Sequence, residues 1–355
     1  MRLLVVALLI FSVVSAASTT QKFHHWFPKY SDLFRELSQT ECARELNNYW
    51  TDNRTECVTV CACAADCLLS NSPETVKSNM ASATILLGFT PSILALLGPT
   101  VAEMSLLSAR FPVLAILLAL ASPAVSLMHL FRGGESSESV LGTSTSVLVR
   151  SWHSWLKQQS ARTNLAIRIA ELVVVGAMLA NNIHTSITLD LRTVSGFRCG
   201  QMYMPLVWSL LSIAVHLLGF VAIRLRGSLL YMPISTRESH AISEPRSSLL
   251  RRRTMSSFFE SGSWKTLVRG KDGSLGEVLF WSASLAGIVH MVFGVIVLSS
   301  LLFVAAMDAL PVLIRYTVSA CVCQAVLLVE LAAMRLDLQN EEAGHAQGIE
   351  IQTGK

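Results

Sequence analysis

Six ionisable side chains stand inside or at the edges of long apolar stretches: Glu171, His216, His290, Asp308, Arg315 and Glu330. Ionisable groups in hydrocarbon are costly, and where they occur they are candidates for proton relays, ion paths or catalysis. His216 shares a helical face with Ser209, Ser212 and Gly219, and His290 with Ala283, Gly287 and Gly294. Two such histidines could relay a proton or ligate a metal. The plainer reading is a neutral imidazole hydrogen-bonded across helices that small residues let approach closely. At about 100° per residue, Asp308, Arg315, Ser319 and Glu330 fall near one face. That face reads either as an ion-pair network turned into a bundle or as the lining of a polar path. Arg168 and Glu171 are spaced to pair on one helix, and Glu103 with Arg110 reads as an interfacial pair. Asn181, Asn182 and His184 read as wet positions near a span end. Cys321 and Cys323 point to different faces and read as reduced packing residues. No Gly-rich phosphate loop, HExxH, GxSxG or paired acidic Mg²⁺ motif is present, which weakens the case for an enzyme. No cofactor or metal is expected.

The elements that must position these groups follow from composition. Of 355 residues, 52% are hydrophobic and only 15% charged, against roughly 25% charged in soluble domains. So little charge cannot cover a soluble surface, and a formal net charge of +4 gives no footing for nucleic acid. The expected fold is all-α: a polytopic transmembrane bundle with a small disulfide-rich N-terminal domain. Helices are required because lipid offers no partner for backbone polar groups. Six stretches are apolar enough, near 81–98, 111–131, 166–189, 204–224, 277–304 and 309–334, within a membrane domain over 81–336.

Residues 1–16 have the form of a signal peptide: Arg2, a short apolar core, then Val14-Ser15-Ala16, too short to span a bilayer. The chain then enters an oxidising lumen. Residues 17–80 hold Cys42, Cys57, Cys61, Cys63 and Cys67, and a glycosylation sequon at Asn53. Disulfides rather than a metal suit this spacing, because small lumenal domains are stapled. Five is an odd number, so a partner elsewhere is needed. Loop 225–274 carries nine Lys/Arg against four Asp/Glu, and positive loops stay cytosolic. The loop near 190–203 is then lumenal and brings Cys199 as the sixth cysteine. A lumenal N-terminal domain requires region 78–131 to cross an odd number of times. Phe111–Phe131 is then expected to cross, while Ser78–Ala102, interrupted by Gly88, Pro91 and Gly98-Pro99, is re-entrant or lies along the lumenal face. That makes five spans, six being the competing count.

Trp152, Trp155 and Leu156 suit an amphipathic helix at the headgroups. Arg251, Arg252 and Arg253, followed by Thr254 and Ser256 and by Phe258, Phe259 and Trp264, suit anionic lipid with a phosphorylation switch. Each basic residue contributes about 1 kcal/mol there. A phosphomimetic loop should bind anionic vesicles more weakly than the native loop; equal binding would remove the switch. The polar tail 337–355 reads as disordered.

Several stretches, Leu97-Gly98-Pro99-Thr100-Val101-Ala102-Glu103, Pro205-Leu206-Val207-Trp208, His216-Leu217-Leu218-Gly219 and His290-Met291-Val292-Phe293-Gly294 leading to Asp308-Ala309-Leu310, resemble a family of uncharacterised polytopic membrane proteins of filamentous fungi. The resemblance covers about residues 80–335 and implies no activity. The expected function is that of a multi-pass secretory-pathway or plasma-membrane protein, non-enzymatic, in transport, sensing or assembly. The alternative is a membrane enzyme acting on a lipophilic substrate, as in fungal specialised metabolism. A transporter predicts a wet path past Arg315 and Glu330. An enzyme predicts His216, His290 or Glu171 converging within hydrogen-bond reach of a pocket.

Overall fold

The computed structural model describes residues 21–54, 57, 59–126, 151, 155, 158–196, 199–230 and 274–353. The signal segment, the stretch 127–150 and the basic loop with Arg251, Arg252, Arg253, Thr254 and Ser256 lie outside the described residues, as does Trp152. Three short helices, α1 (Ser31–Gln39), α2 (Ala43–Trp50) and α3 (Val60–Ser70), form the N-terminal domain. Then follow α4 (Glu74–Leu97), α5 (Val101–Arg110), α6 (Pro112–Ala121), α7 (Ala161–Arg192), α8 (Met204–Leu230), α9 (Ser274–Ser299) and α10 (Ala306–Thr353). Among the described residues five helices, α4, α7, α8, α9 and α10, are long and apolar enough to cross a membrane. Large apolar side chains face outward from them. Ile85, Phe89 and Leu96 on α4, and Trp281, Leu285 and Val289 on α9, are each half or more exposed, a pattern soluble monomers avoid.

The count of five agrees with the sequence reading, but its assignment does not. The stretch expected to be re-entrant forms a continuous 24-residue helix through Gly88 and Pro91. The described part of the stretch expected to cross, 111–126, contains only the ten-residue α6. A ten-residue helix is about 15 Å long, half the hydrocarbon thickness. The reason lies at Gly98-Pro99-Thr100. These residues break the chain after α4, and Thr100 restarts it as α5 through a capping box: Thr100 Oγ1 accepts from the Glu103 amide at 3.1 Å, and Glu103 Oε2 accepts from the Thr100 amide at 2.9 Å. α5 runs on to Arg110, which meets Asp337 near the described end of the α10 span. So α4 and α5 together traverse the bundle as one broken helix. Pro112 then starts α6, which turns back and ends against the break. There the Ser126 amide donates to Pro99 O at 2.9 Å. A Cβ at Gly98 would lie 2.7 Å from the Ala124 backbone, so only glycine allows the two unwound segments to touch.

The N-terminal domain is fastened to one end of the bundle. Three disulfides use all six predicted cysteines: Cys42–Cys67, Cys57–Cys63 and Cys61–Cys199. The third ties α3 to the connection between α7 and α8. The small strands β1 (Val194–Ser195) and β2 (Leu301–Leu302) pair antiparallel beneath the domain. Phe303 then enters the domain's own core, edge-on to Phe23 and Phe34. Asn53 is exposed on this domain. At the other terminus the tail expected to be disordered continues α10 to Thr353. Its Gln, Glu and Ala residues are good helix formers, and they extend a helix already nucleated by the bundle.

Candidate functional site

The six ionisable candidates occupy four places rather than one. At the end far from the N-terminal domain, Arg168 Nη1 on α7 donates to Glu171 Oε2 at 2.9 Å and also to Glu330 Oε1 on α10. The Glu330 side chain is 5% exposed and Glu171 14%. Two buried carboxylates thus share one guanidinium nitrogen. Phe111, at the α5–α6 turn, lies beneath both Arg168 and Arg110 at 4.8 and 5.0 Å from their guanidinium carbons. Arg110 pairs with Asp337 at 3.0 Å, not with Glu103 as the sequence suggested, because Glu103 is taken by the Thr100 cap.

The second place lies nearer the N-terminal domain on the same α7–α10 seam. Arg315 Nε donates to Asn181 Oδ1 at 2.9 Å, Asn181 Nδ2 donates to Ser319 Oγ at 2.9 Å, and Arg315 Nη2 meets His184 Nδ1 at 3.1 Å. Beside it the buried Ser186 hydroxyl meets Tyr316 Oη at 2.9 Å. Asn182, expected to be wet, is buried and donates to Leu120 O at 3.0 Å, at the end of α6. Val175, Cys323 and Leu327, all buried in one apolar cluster, belong to the turns between this group and Arg168. Arg315 and Glu330 therefore face the same partner helix but are divided by an apolar layer.

The histidines form the third place and do not converge. His290 Nε2 lies 3.0 Å from Trp208 O, and its ring stacks on the fully buried Trp208 indole at 5.8 Å and 14°. Trp208 in turn lies on Gly294, where a Cβ would approach Trp208 Nε1 to 2.2 Å and Pro91 to 2.9 Å. Gly294→Ala should therefore cost at least 1–3 kcal/mol, since an enclosed indole cannot yield. Thermal unfolding of the purified variant measures this, and an unchanged midpoint would contradict it. His216 lies two turns further along α8, 6% exposed. It lines a cavity of about 40 Å³ between α5, α6 and α8, with Ser108 and Met104 on the floor. Neither ring nitrogen completes a hydrogen bond of good geometry; a polar neighbour is the Ala124 backbone at the unwound end of α6.

Asp308 marks the fourth place, at the N-terminal domain, where its Oδ2 accepts from the Lys29 amide at 3.4 Å. A stronger link stands beside it that sequence reading missed. Lys22 Nζ contacts Asp190 Oδ2 at 2.9 Å with side-chain exposures of 2% and 4%, and the Lys22 amide donates to Tyr49 Oη at 3.2 Å. Burial pulls the Lys22 ammonium below its ordinary range, and the charge and hydrogen bond of Asp190 restore only part of that. Burial also raises the Tyr49 phenol, against the Lys22 hydrogen bond. The signal available in the sequence was an isolated acid, Asp190, at the end of an apolar run.

No family model, curated protein or solved structure matches the chain. The Leu97–Glu103, Pro205–Trp208, His216–Gly219 and His290–Gly294 stretches are places of close approach: Gly98 on Ala124, Trp208 on His290 and Gly294, and Gly219 against Val101 and Ser105.

Proposed function

We propose that the chain is a multi-pass protein of the secretory pathway or plasma membrane, with its N-terminal domain in the lumen or outside the cell. Its role is non-enzymatic, in transport, sensing or assembly. The observation that carries the reading is the double fastening of the Cys-rich domain, by Cys61–Cys199 and by the buried Lys22–Asp190 pair. Disulfides form and persist in oxidising compartments, so the domain and the α7–α8 connection belong on the oxidising side. A cytosolic loop 225–274, in contact with anionic lipid, is then consistent with its excess of basic residues. A domain locked to the helices transmits what it binds to the bundle as a rigid unit, which suits sensing or assembly.

The broken α4–α5 helix and the half-length α6 favour ligand sensing within that range, since an apolar layer divides Arg315 from Glu330 where a transporter would need a wet path. Irregular backbone is tolerated at membrane depth where it is enclosed by protein, and discontinuous helices commonly frame binding sites there. The cavity at His216 is the one observation that favours the second reading, a membrane enzyme acting on a lipophilic substrate. Comparing extracted metabolites from a wild-type and a deletion strain separates the two. The non-enzymatic reading predicts no accumulated lipophilic precursor with a matching lost product. Such a pair, reproduced by His216→Ala in a protein that still accumulates, would overturn it.

A further inference from the structure

The cavity beside the helix break has a defined hydrogen-bonding character. Its floor has two polar side chains, Ser108 and His216, both buried. The Ser108 hydroxyl already donates to Ser105 O at 2.6 Å, so toward the cavity its oxygen offers only lone pairs. A neutral imidazole has one donor and one acceptor. The Ala124 carbonyl can take the single N–H of His216, and it can claim only one of the two ring nitrogens. The Ser108 donor is thus spent on the protein, while the imidazole of His216, in a side chain more than nine-tenths buried, keeps an acceptor nitrogen with no partner. The mouth is different. Ile116, Ile213, Leu217 and Phe220 are half-buried and lie on helices read as membrane-embedded, so the opening is apolar.

We propose that this cavity binds the hydroxyl end of an uncharged lipophilic alcohol that enters sideways from the bilayer. The hydroxyl donates to the free ring nitrogen of His216, and the hydrocarbon lies across Ile116, Leu217 and Phe220. A ketone or ester is disfavoured, because it has no donor for the imidazole acceptor or the Ser108 lone pairs. An ammonium is excluded because no carboxylate lines the cavity among the described residues, and an unpaired buried cation is strongly unfavourable. The cavity, about 40 Å³, exceeds the 10–15 Å³ or so that one water needs, yet it is too small for a whole lipid. It takes a headgroup the size of a hydroxyl with its first carbons. The inference rests on the chain lying in a membrane and not on the non-enzymatic reading.

The test uses full-length protein in nanodiscs of zwitterionic phospholipid and a photoreactive diazirine sterol bearing its 3-hydroxyl. Labelling is expected on peptides containing Ile116 or Leu217 and Phe220. It should fall about tenfold with the 3-deoxy probe and with His216→Leu, the weight of one buried hydrogen bond. Dodecanol should compete and dodecane should not, which separates a general requirement for a lipophilic alcohol from recognition of the sterol rings. Leu217→Trp, which narrows the mouth and leaves His216 in place, should lower labelling too, and an intact Cys61–Cys199 bond in each variant reports folding. Equal labelling by both probes, or labelling indifferent to His216→Leu and Leu217→Trp, would mean ordinary lipid contact. No labelling would mean that water alone fills the cavity. Either result overturns the proposal.

Discussion

Cys61→Ser is expected to loosen the N-terminal domain from the bundle while leaving the helices inserted. The Cys61–Cys199 bond spans 138 residues, the longest of the three closures, and disulfide stabilisation grows with the loop closed. Part of that loop is α4 to α7, which a membrane would hold even when the domain opens, so the full chain-entropy gain is not realised. A loss of about 2–4 kcal/mol follows. The other two disulfides stay within the domain, so its internal core around Phe34, Leu46 and Leu68 should persist. Limited proteolysis should then cut the connection between α7 and α8 at least tenfold faster, since about 1.4 kcal/mol is already a factor of ten in the open population. Lys22→Met attacks the second fastening by leaving Asp190 buried without its ammonium. The two variants act on one interface, so their combined effect should depart from the sum of the single effects. Unchanged proteolysis in Cys61→Ser would mean that the clamp is idle.

Arg168→Met should be the most damaging change at the far end. Removing the shared guanidinium leaves Glu171 and Glu330 close together in a poorly solvated site. Breaking a buried ionic group by deleting one partner costs about 3–5 kcal/mol, and the one-third exposure of Arg168 places this case at the lower end. The methionine also cannot reproduce the stacking on Phe111. Neutralising both acids, as Arg168→Met with Glu171→Gln and Glu330→Gln, should recover most of the loss. Thermal unfolding in detergent measures both variants. If the triple variant is no more stable than Arg168→Met, the damage comes from lost packing rather than stranded charge.

The helical class, five spanning-length helices and the membership of the disulfide set were legible in the sequence because they rest on local signals. Apolar run length marks α7 to α10, and the basic excess of loop 225–274 supplied the parity that recruited Cys199. The disulfide connectivity was not legible, since cysteine spacing leaves the pairings open. Nor was the exchange of roles between 78–102 and 111–131. Hydropathy alone favours the cleaner run, but the break at Gly98-Pro99 and the restart at Thr100 depend on what Gly98 touches, namely Ala124. The candidate residues were named from their cost in lipid, and that cost does not reveal partners. Glu330 was expected only to share a face with Asp308, Arg315 and Ser319, whereas its partner is Arg168, 162 residues away. Lys22 escaped notice because an ordinary lysine near a terminus carries no sign that it will be buried.

The orientation of the chain is the claim on which the clamp, the basic loop and the lateral cavity all depend. It is tested by glycan mapping in the full-length protein, with the native sequon at Asn53 and a second one made by Ser247→Asn with Leu249→Thr in the basic loop. The account predicts a single glycan, removable by endoglycosidase and lost with Asn53→Gln, and none at position 247. A glycan on the engineered site would place the basic loop in the lumen and contradict the five-helix orientation.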